Sequence, residues 1–411
     1  MKGGVKMKQG ITLKLRIDVS KEQELELRKL QEQYRQACQK VSNYYFEHYF
    51  EPSRYKLHDA LYYNIRSEFG LKAQQAQSVF ITVLARYKTI DTQMKKKHFR
   101  YQDHATKEWH SVQKNIHWLQ KPVQFKKPQS DMVYNRDWNF TKDQTVKLTT
   151  LDSRIEVPCH FDYFDSYLTD DWKFGTAKLV NKSDKWFLHV GATKEVEEYK
   201  REDTEHVVGI DRGLNFLLTS YDEKGNTGFV NGKDITHKRN KFAKLRQELQ
   251  SKNTKSSKRR LKAINQRENR WMTDVNHQLS KALVGRYGEK TVFVLEDLQN
   301  INWQRSFGSK KQNKKHTDWA FYQLEEFLMY KAILSGSVVV KINAQYTSQR
   351  CPKCGSIDKN NRHHKMSEYH CQTCQYRSND DRVASMNIQE LGKLWVSGET
   401  NVKYEKILPT D

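Results

Sequence analysis

Two cysteine pairs constrain this chain more than any other feature. Cys351-Pro-Lys-Cys354 and Cys371-Gln-Thr-Cys374 are separated by sixteen residues, within the range of four-cysteine zinc sites. Each C-x-x-C places two thiolates on one turn, so two such turns complete a tetrahedron. Gly355 follows the first pair and suits the tight turn of a knuckle. A redox dithiol would need only one pair, in a thioredoxin-like setting that the flanking sequence lacks. Four thiolates leave no open coordination position, so the expected Zn²⁺ is structural. His363, His364 and His370 lie between the pairs and are expected to face solvent or nucleic acid. The other two cysteines, Cys38 on an expected helix and Cys159 in an expected strand, read as plain buried thiols.

A second pattern is the apolar strand that stops at an acid. VVGID at 207–211 ends on Asp211, and TVFVLED at 291–297 ends on Glu296 and Asp297. In α/β sheets functional groups collect where strands end. A third acid would complete a site for two hard cations, and DDRVASMNI at 380–388 supplies Asp380 and Asp381 at the start of an expected helix. Carboxylate oxygens suit Mg²⁺ or Mn²⁺. Two such ions can activate a water and stabilise the leaving oxygen of a phosphodiester. Each acid also has a plainer reading. Asp211 could simply open a turn, one of Glu296 and Asp297 is a solvated neighbour, and Asp381 stands three residues after Ser378 as in a capping box. Three acids in this order within a basic chain favour the metal site.

Charge narrows the partners. The formal net charge is +23, from 72 Lys and Arg against 49 Asp and Glu in 411 residues. That surplus does not suit an enzyme of small metabolites. It predicts a polyanionic partner, because Lys and Arg that neutralise phosphates release condensed counterions. Aromatic residues make up 12% of the chain, which suits stacking on unpaired bases, although ordinary packing accounts for most individual rings. No window approaches about eighteen consecutive apolar residues, and residues 1–10 lack the apolar stretch of a signal peptide. A cytosolic protein is expected.

The length suggests two to four domains. Residues 11–17 alternate as a strand, and Leu27, Leu30, Tyr34, Ala37, Val41 and Tyr45 recur at helical steps. A further helix is expected over 71–88, with Lys72, Gln74, Gln75 and Ser78 off its apolar face. Short strands follow at 123–125, 145–150 and 154–158, with a hairpin across 178–192. After the strand 216–220, a basic helical region at 235–286 carries Lys252, Lys255, Lys258, Arg259 and Arg260. A mobile basic linker is expected at 305–316, a helix near 318–334, a strand at 337–342, and a frayed end over the last fifteen residues.

GIDRG at 209–213, VFVLEDL at 292–298, TSQRCPKCG at 347–355 and CQTCQYRSNDDRVASMNI at 371–388 together resemble the transposon-encoded nuclease family TnpB, which is related to the type V CRISPR effectors. The resemblance covers roughly residues 11–395. It implies a multidomain α+β fold. A wedge-like β-barrel (1–20 and 115–204) would be split by a helical recognition insert (21–114). A RuvC/RNase H-like α/β nuclease domain (205–345 and 376–396) would enclose the zinc ribbon (346–375), with a tail at 397–411. The implied activity is RNA-guided cleavage of double-stranded DNA beside a short motif, with guide RNA from the transposon end, in a prokaryotic, nucleoid-associated setting. A protein oligomer is not required. Asp211, Glu296 and Asp381 would be catalytic and hold two Mg²⁺ or Mn²⁺ ions, Asp211 bridging both. The family pattern D-x-N-A-A-x-N-I, aligned on Asn387-Ile388, selects Asp381 over Asp380, with Val383 and Ser385 departing from it. The resemblance would also place the basic helices along the guide or heteroduplex. Lys72, Gln74, Gln75 and Ser78 could read the adjacent motif, since Gln can pair bidentately with adenine. A nuclease-inactive RNA-guided repressor and an RNase H-like transposase are the alternative readings.

Overall fold

The computed structural model describes residues 5–141, 144–160, 165–182, 184–213, 216–264, 266–298, 321–363 and 366–405. The linker 305–316 and His364 therefore lie outside the described residues. The chain divides into two compact units, residues 10–195 and residues 1–9 with 196–411.

In the first unit, strand β1 (Lys6–Ile17) leads into helix α1 (Lys21–Glu47). Ser20 caps α1 in a capping box: its hydroxyl accepts from the Gln23 amide at 3.2 Å, and the Gln23 side chain accepts from the Ser20 amide at 2.9 Å. Of the expected stripe, Leu27, Leu30, Tyr34, Ala37 and Val41 are buried and Tyr45 is half-buried. Helix α2 (Arg54–Phe69), which the sequence reading passed over, starts at Ser53 and ends at Gly70 in the left-handed region (φ +64°). It buries Leu57, Leu61, Ile65 and Phe69 at four-residue steps. Helix α3 (Ala73–Lys95) packs on both.

Beyond a hairpin of β2 (His98–Gln102) and β3 (Trp109–Gln113), short strands β4 (Ser130–Met132), β5 (Trp138–Phe140), β6 (Thr145–Thr149) and β7 (Arg154–Pro158) follow. The hairpin of β8 (Trp172–Lys182) and β9 (Lys185–Glu197) closes with Lys182 opposite Lys185. The opening strand finds a late partner as expected, in the sheet order β1-β9-β8-β4; a second sheet has the order β5-β6-β7. Neither sheet closes on itself, so the expected barrel is not formed among the described residues. The expected strand at 123–125 is also absent. Its backbone is spoken for by α1 side chains: Ser42 donates to the Val123 carbonyl (2.8 Å), Gln39 accepts from the Phe125 amide (2.9 Å) and Arg35 donates to the Phe125 carbonyl (3.1 Å).

The second unit is built on a five-stranded sheet of order β12-β11-β10-β13-β14. Its strands are β10 (His206–Asp211), β11 (Phe216–Tyr221), β12 (Thr227–Asn231), β13 (Thr291–Asp297) and β14 (Val338–Asn343). β10, β11 and β12 are antiparallel neighbours, while β13 and β14 run parallel to β10. Both faces are covered, which is why the central strands read as unbroken apolar runs. Val208, Ile210, Phe293 and Leu295 pack with helices α6 (Arg267–Tyr287) and α7 (Phe321–Leu334). Val207, Val292 and Val294 pack with Ile388 and Leu391 of α8 (Asp380–Val396). A Cβ on Gly209 would lie 2.2 Å from the Ser385 carbonyl oxygen and 2.4 Å from the Gln389 amide, so α8 crosses β10 on bare backbone. On α8 itself, a Cβ on Gly392 would lie 2.3 Å from Val294 Cγ2.

The basic region is three helices, α4 (Lys233–Lys252), α5 (Lys255–Ile264) and α6. Strands β15 (Arg362–His363) and β16 (Glu368–His370), between the cysteine pairs, and β17 (Arg377–Asn379), after the second pair, form a small antiparallel sheet. The chain end is not frayed through its described part. Val402 and Tyr404 are buried in the core beneath α8, and the Tyr404 hydroxyl donates to the Asn387 carbonyl at 2.8 Å.

Candidate active site and zinc ribbon

Parallel pairing brings the first two acids together. Ile210 sits beside Leu295 in the β10/β13 ladder, so the next residues, Asp211 and Glu296, leave adjacent strands at one level. This is the carboxyl edge of the sheet, where α/β folds gather functional groups. The third acid comes from the N-terminal turn of α8. Asn379, not Ser378, caps this helix, its side chain accepting from the Arg382 amide at 3.0 Å. Asp380 and Asp381 then occupy the first turn, where the helix dipole favours negative charge. A Cβ on Gly213, two residues after Asp211, would lie 3.9 Å from Asp381 Oδ2.

These carboxyls hold their protons unusually tightly. Burial, then repulsion from Glu296 and from Asp381, pushes Asp211 well above the ordinary carboxyl range. Burial also raises Glu296, opposed by a hydrogen bond from the Thr347 hydroxyl and by the charges of Arg212 and Arg362. Asp381 is pushed up to about 6, by burial and then by the Asp380 charge, with Arg362 opposing. Arg362 from the ribbon reaches Asp380 Oδ2 at 3.0 Å and Asp381 Oδ1 at 3.5 Å. Asp380 also accepts from the Asp381 amide (3.0 Å), so its carboxylate is committed to protein partners. Arg212 anchors the strand ends by donating to the Glu296 carbonyl (2.8 Å) and pairing with buried Glu325 (2.8 Å), which Lys341 also contacts (2.6 Å).

Arg362, Thr347 and the Arg212–Glu325 pair went unnoticed in the sequence. Only Arg212 had a local signal, its place directly after Asp211. Arg362 and Thr347 reach the site through tertiary contacts alone.

Two buried carboxylates, Asp211 and Asp381, and the half-buried Glu296, all with raised proton affinity beside one shared guanidinium, fit a hard divalent cation, whose charge would replace the missing neutralisation. The acids are held more openly than the cysteines. Among the described residues, only Cys351, Cys354, Cys371 and Cys374 bring ligand atoms within 4.8 Å of one another.

The cysteine set is geometrically closed. Cys351 and Cys374 sulfurs are 3.6 Å apart, as are those of Cys354 and Cys371. A tetrahedral Zn²⁺ with bonds of about 2.3 Å separates its sulfurs by about 3.8 Å, so the four thiols fit zinc. The two knuckles repeat one geometry. The Gly355 amide donates to the Cys351 carbonyl (2.9 Å) and the Gln375 amide to the Cys371 carbonyl (3.0 Å), both residues at positive φ (+78° and +58°). Ser356 lies 3.3 Å from the Cys371 sulfur. Burial opposes the Cys371 thiolate, but amide and hydroxyl hydrogen bonds bring its pKa down to about 6. No disulfide forms, and Cys38 and Cys159 are buried.

The residues considered for contact with nucleic acid fare differently. Gln75 and Ser78 are not presented to a ligand: both are buried, Gln75 donating to the Thr149 carbonyl (2.9 Å) and Ser78 to the Gln74 carbonyl (3.0 Å). Gln75 stands four residues before buried Val79 and Ser78 three after Gln75, steps that carry both inward with the apolar face. Gln74 accepts from Arg136 at 2.6 Å, and Lys72 is exposed. Lys252, Lys255, Lys258, Arg259 and Arg260 are all exposed where α4 passes into α5.

The fold and site define an α/β unit with strand-end acids and an embedded four-cysteine ribbon. Residues 190–303 match a family described as "Probable transposase", and residues 321–388 match one described as "Cas12f1-like, TNB domain". The chain is 28% identical over 242 residues to the CRISPR-associated endodeoxyribonuclease Cas12f1 of Sulfoacidibacillus thermotolerans, covering 54% of this chain and 55% of that protein. It is 28% identical over 237 residues to the TnpB-like protein MJ0751 of Methanocaldococcus jannaschii, covering 55% and 82%. The chain thus spans about half the length of the Cas12f1 relative. In fold it is similar to the protein in a cryo-EM structure of a Cas12f1-sgRNA-target DNA complex, with a TM-score of 0.56 at 14% identity over 89% of this chain and 83% of the other. These matches bear out the resemblance to TnpB and its Cas12f relatives. No helix among the described residues is long and apolar enough to cross a membrane.

Proposed function

We propose that the chain is an RNA-guided endonuclease that cuts double-stranded DNA beside a short motif by metal-dependent hydrolysis. The observation that carries this reading is the convergence of Asp211, Glu296 and Asp381 at one sheet edge, from two parallel strands and a helix N-terminus. The relative named a CRISPR-associated endodeoxyribonuclease supports DNA as the substrate class. The strand order, with three antiparallel strands and two more parallel to the first, supports the RuvC/RNase H-like reading.

Asp211, Glu296 and Asp381 would hold two Mg²⁺ or Mn²⁺ ions. Such ions would supply an activated water and stabilisation of the leaving oxygen. The chain's own residues set the stage. Thr347 orients the Glu296 carboxylate, Arg212 ties the ends of β10 and β13 together, and Arg362 holds Asp380 clear while steadying Asp381. Cys351, Cys354, Cys371 and Cys374 would hold one structural Zn²⁺, fixing the strand that carries Arg362. The exposed Lys252, Lys255, Lys258, Arg259 and Arg260 would run along guide RNA or heteroduplex. A guide from a transposon end, a prokaryotic nucleoid setting and action without a protein oligomer complete the proposal.

Purification from a host that expresses the neighbouring locus tests it. A defined RNA should copurify, and the complex should cut matching DNA with Mg²⁺. Copurified RNA without cutting across several metals would favour the guided repressor. Binding of terminal repeats with no RNA would favour the transposase.

A further inference from the structure

The hairpin β2–β3 stands apart from every core described above: all ten of its strand residues are exposed. An isolated two-stranded hairpin gains little from burial, yet this one carries a row of rings. The register pairs Phe99 with Val112 and Tyr101 with His110, so these four share one face. Phe99 and Tyr101 lie 6.2 Å apart with planes 24° from parallel, and Tyr101 and His110 lie 5.5 Å apart at 31°. Trp118, beyond the hairpin, extends the row with its ring 5.7 Å from Phe99. The Lys114 ammonium is 5.5 Å from the ring centres of both Phe99 and Trp118. The opposite face is polar apart from Trp109, which faces Gln102.

Two further observations point to the occupant. Five Lys and Arg side chains lie from Lys96 through Lys114, against the acids Asp103 and Glu108, while Lys95 is paired with Asp91 at 2.6 Å. The Asp103 carboxylate is spent on the turn, accepting from the amides of Ala105 (2.7 Å) and Thr106 (3.1 Å). The platform is also held in place. The Gln113 side chain donates to the Lys95 carbonyl (3.0 Å) at the end of α3, and Asp91 of α3 accepts from the Ile116 amide (2.9 Å). Flat rings on one strand face beside a surplus of cations match the chemistry of unpaired nucleotides, whose bases stack while their phosphates meet Lys and Arg.

We propose that Phe99, Tyr101, His110 and Trp118 form a stacking platform for an unpaired segment of RNA. Taking RNA as the partner rests on the guided-nuclease reading; the platform itself rests on the ring geometry. The test uses the full chain, purified free of nucleic acid, and a short single-stranded RNA of mixed sequence, with the same sequence as single-stranded and duplex DNA. Phe99→Leu combined with Tyr101→Leu keeps the apolar bulk but removes the stacking faces. It should weaken single-stranded RNA binding by about tenfold or more, while Trp109→Ala on the opposite face stays within about twofold. Ultraviolet crosslinking of the wild-type complex should mark peptides between residues 98 and 118. Unchanged RNA affinity in the double variant, or an equal loss in Trp109→Ala, would overturn the platform. Loss confined to single-stranded DNA would overturn the assignment to RNA. A wild-type chain that binds no RNA would contradict the guided-nuclease reading itself.

Discussion

At the residue scale, Asp380 and Asp381 are chemically alike and differ in their commitments. Asp380 is engaged by Arg362 and by the Asp381 amide, whereas Asp381 faces the turn after Asp211. Asp381→Asn should therefore lower DNA cutting by about a thousandfold or more while sparing RNA binding. Asp380→Asn should leave cutting measurable and lower stability; equal loss of cutting in both variants would reverse the assignment. Proton linkage gives a second check. Asp381 is raised from 3.8 to about 6, so the folded chain binds more protons than the unfolded one between those values. In chelator, stability should fall as pH rises through about 6. Mg²⁺ replaces those protons, so its thermal stabilisation should grow from about pH 5 to about pH 7.5; a pH-independent effect would count against a cation at these acids. Asp211 and Glu296 were legible in the sequence because a strand that ends in an acid advertises its position. Arg362 was not, because its role arises only when the ribbon folds back.

At the element scale, helix α8 carries both the third acid and half of the core beneath it, and its seat depends on two glycines. Gly209→Ala would set a methyl against backbone atoms of α8 that cannot swing away, and should cost about 3 kcal/mol in thermal unfolding. Gly285→Ala, in α6 with nothing within 4 Å, should be neutral or stabilising by up to about 1 kcal/mol. Similar costs at both sites would mean that α8 is not seated on β10 as described. Long periodic elements such as α1 and α3 were readable, as were β10 and β13. Helix α2 and residues 123–125 were not. In the first, exposed Tyr55 and Tyr63 blur the apolar stripe, and the second has its backbone claimed by α1 side chains, which no local pattern announces. The same limit hid the burial of Gln75 and Ser78.

At the scale of the whole molecule, charge and metal set the behaviour. With a net charge of +23, affinity for nucleic acid should fall steeply and linearly in log–log form with added salt. Replacing Lys258, Arg259 and Arg260 with Gln should make that slope shallower by about two to three units if all three meet phosphates, and leave it unchanged if they do not. The ribbon and the sheet-edge acids were foreseeable because each pattern is local, whereas the open sheets could not be told from a barrel by strand spacing alone. The most direct measurement is cleavage of one DNA target by the RNA-bound chain, with the guide segment then rewritten to match a second target. The account predicts Mg²⁺-dependent cutting that follows the guide and disappears in Asp211→Ala while target binding persists. Cutting that ignores the guide, or that survives Asp211→Ala, would contradict it.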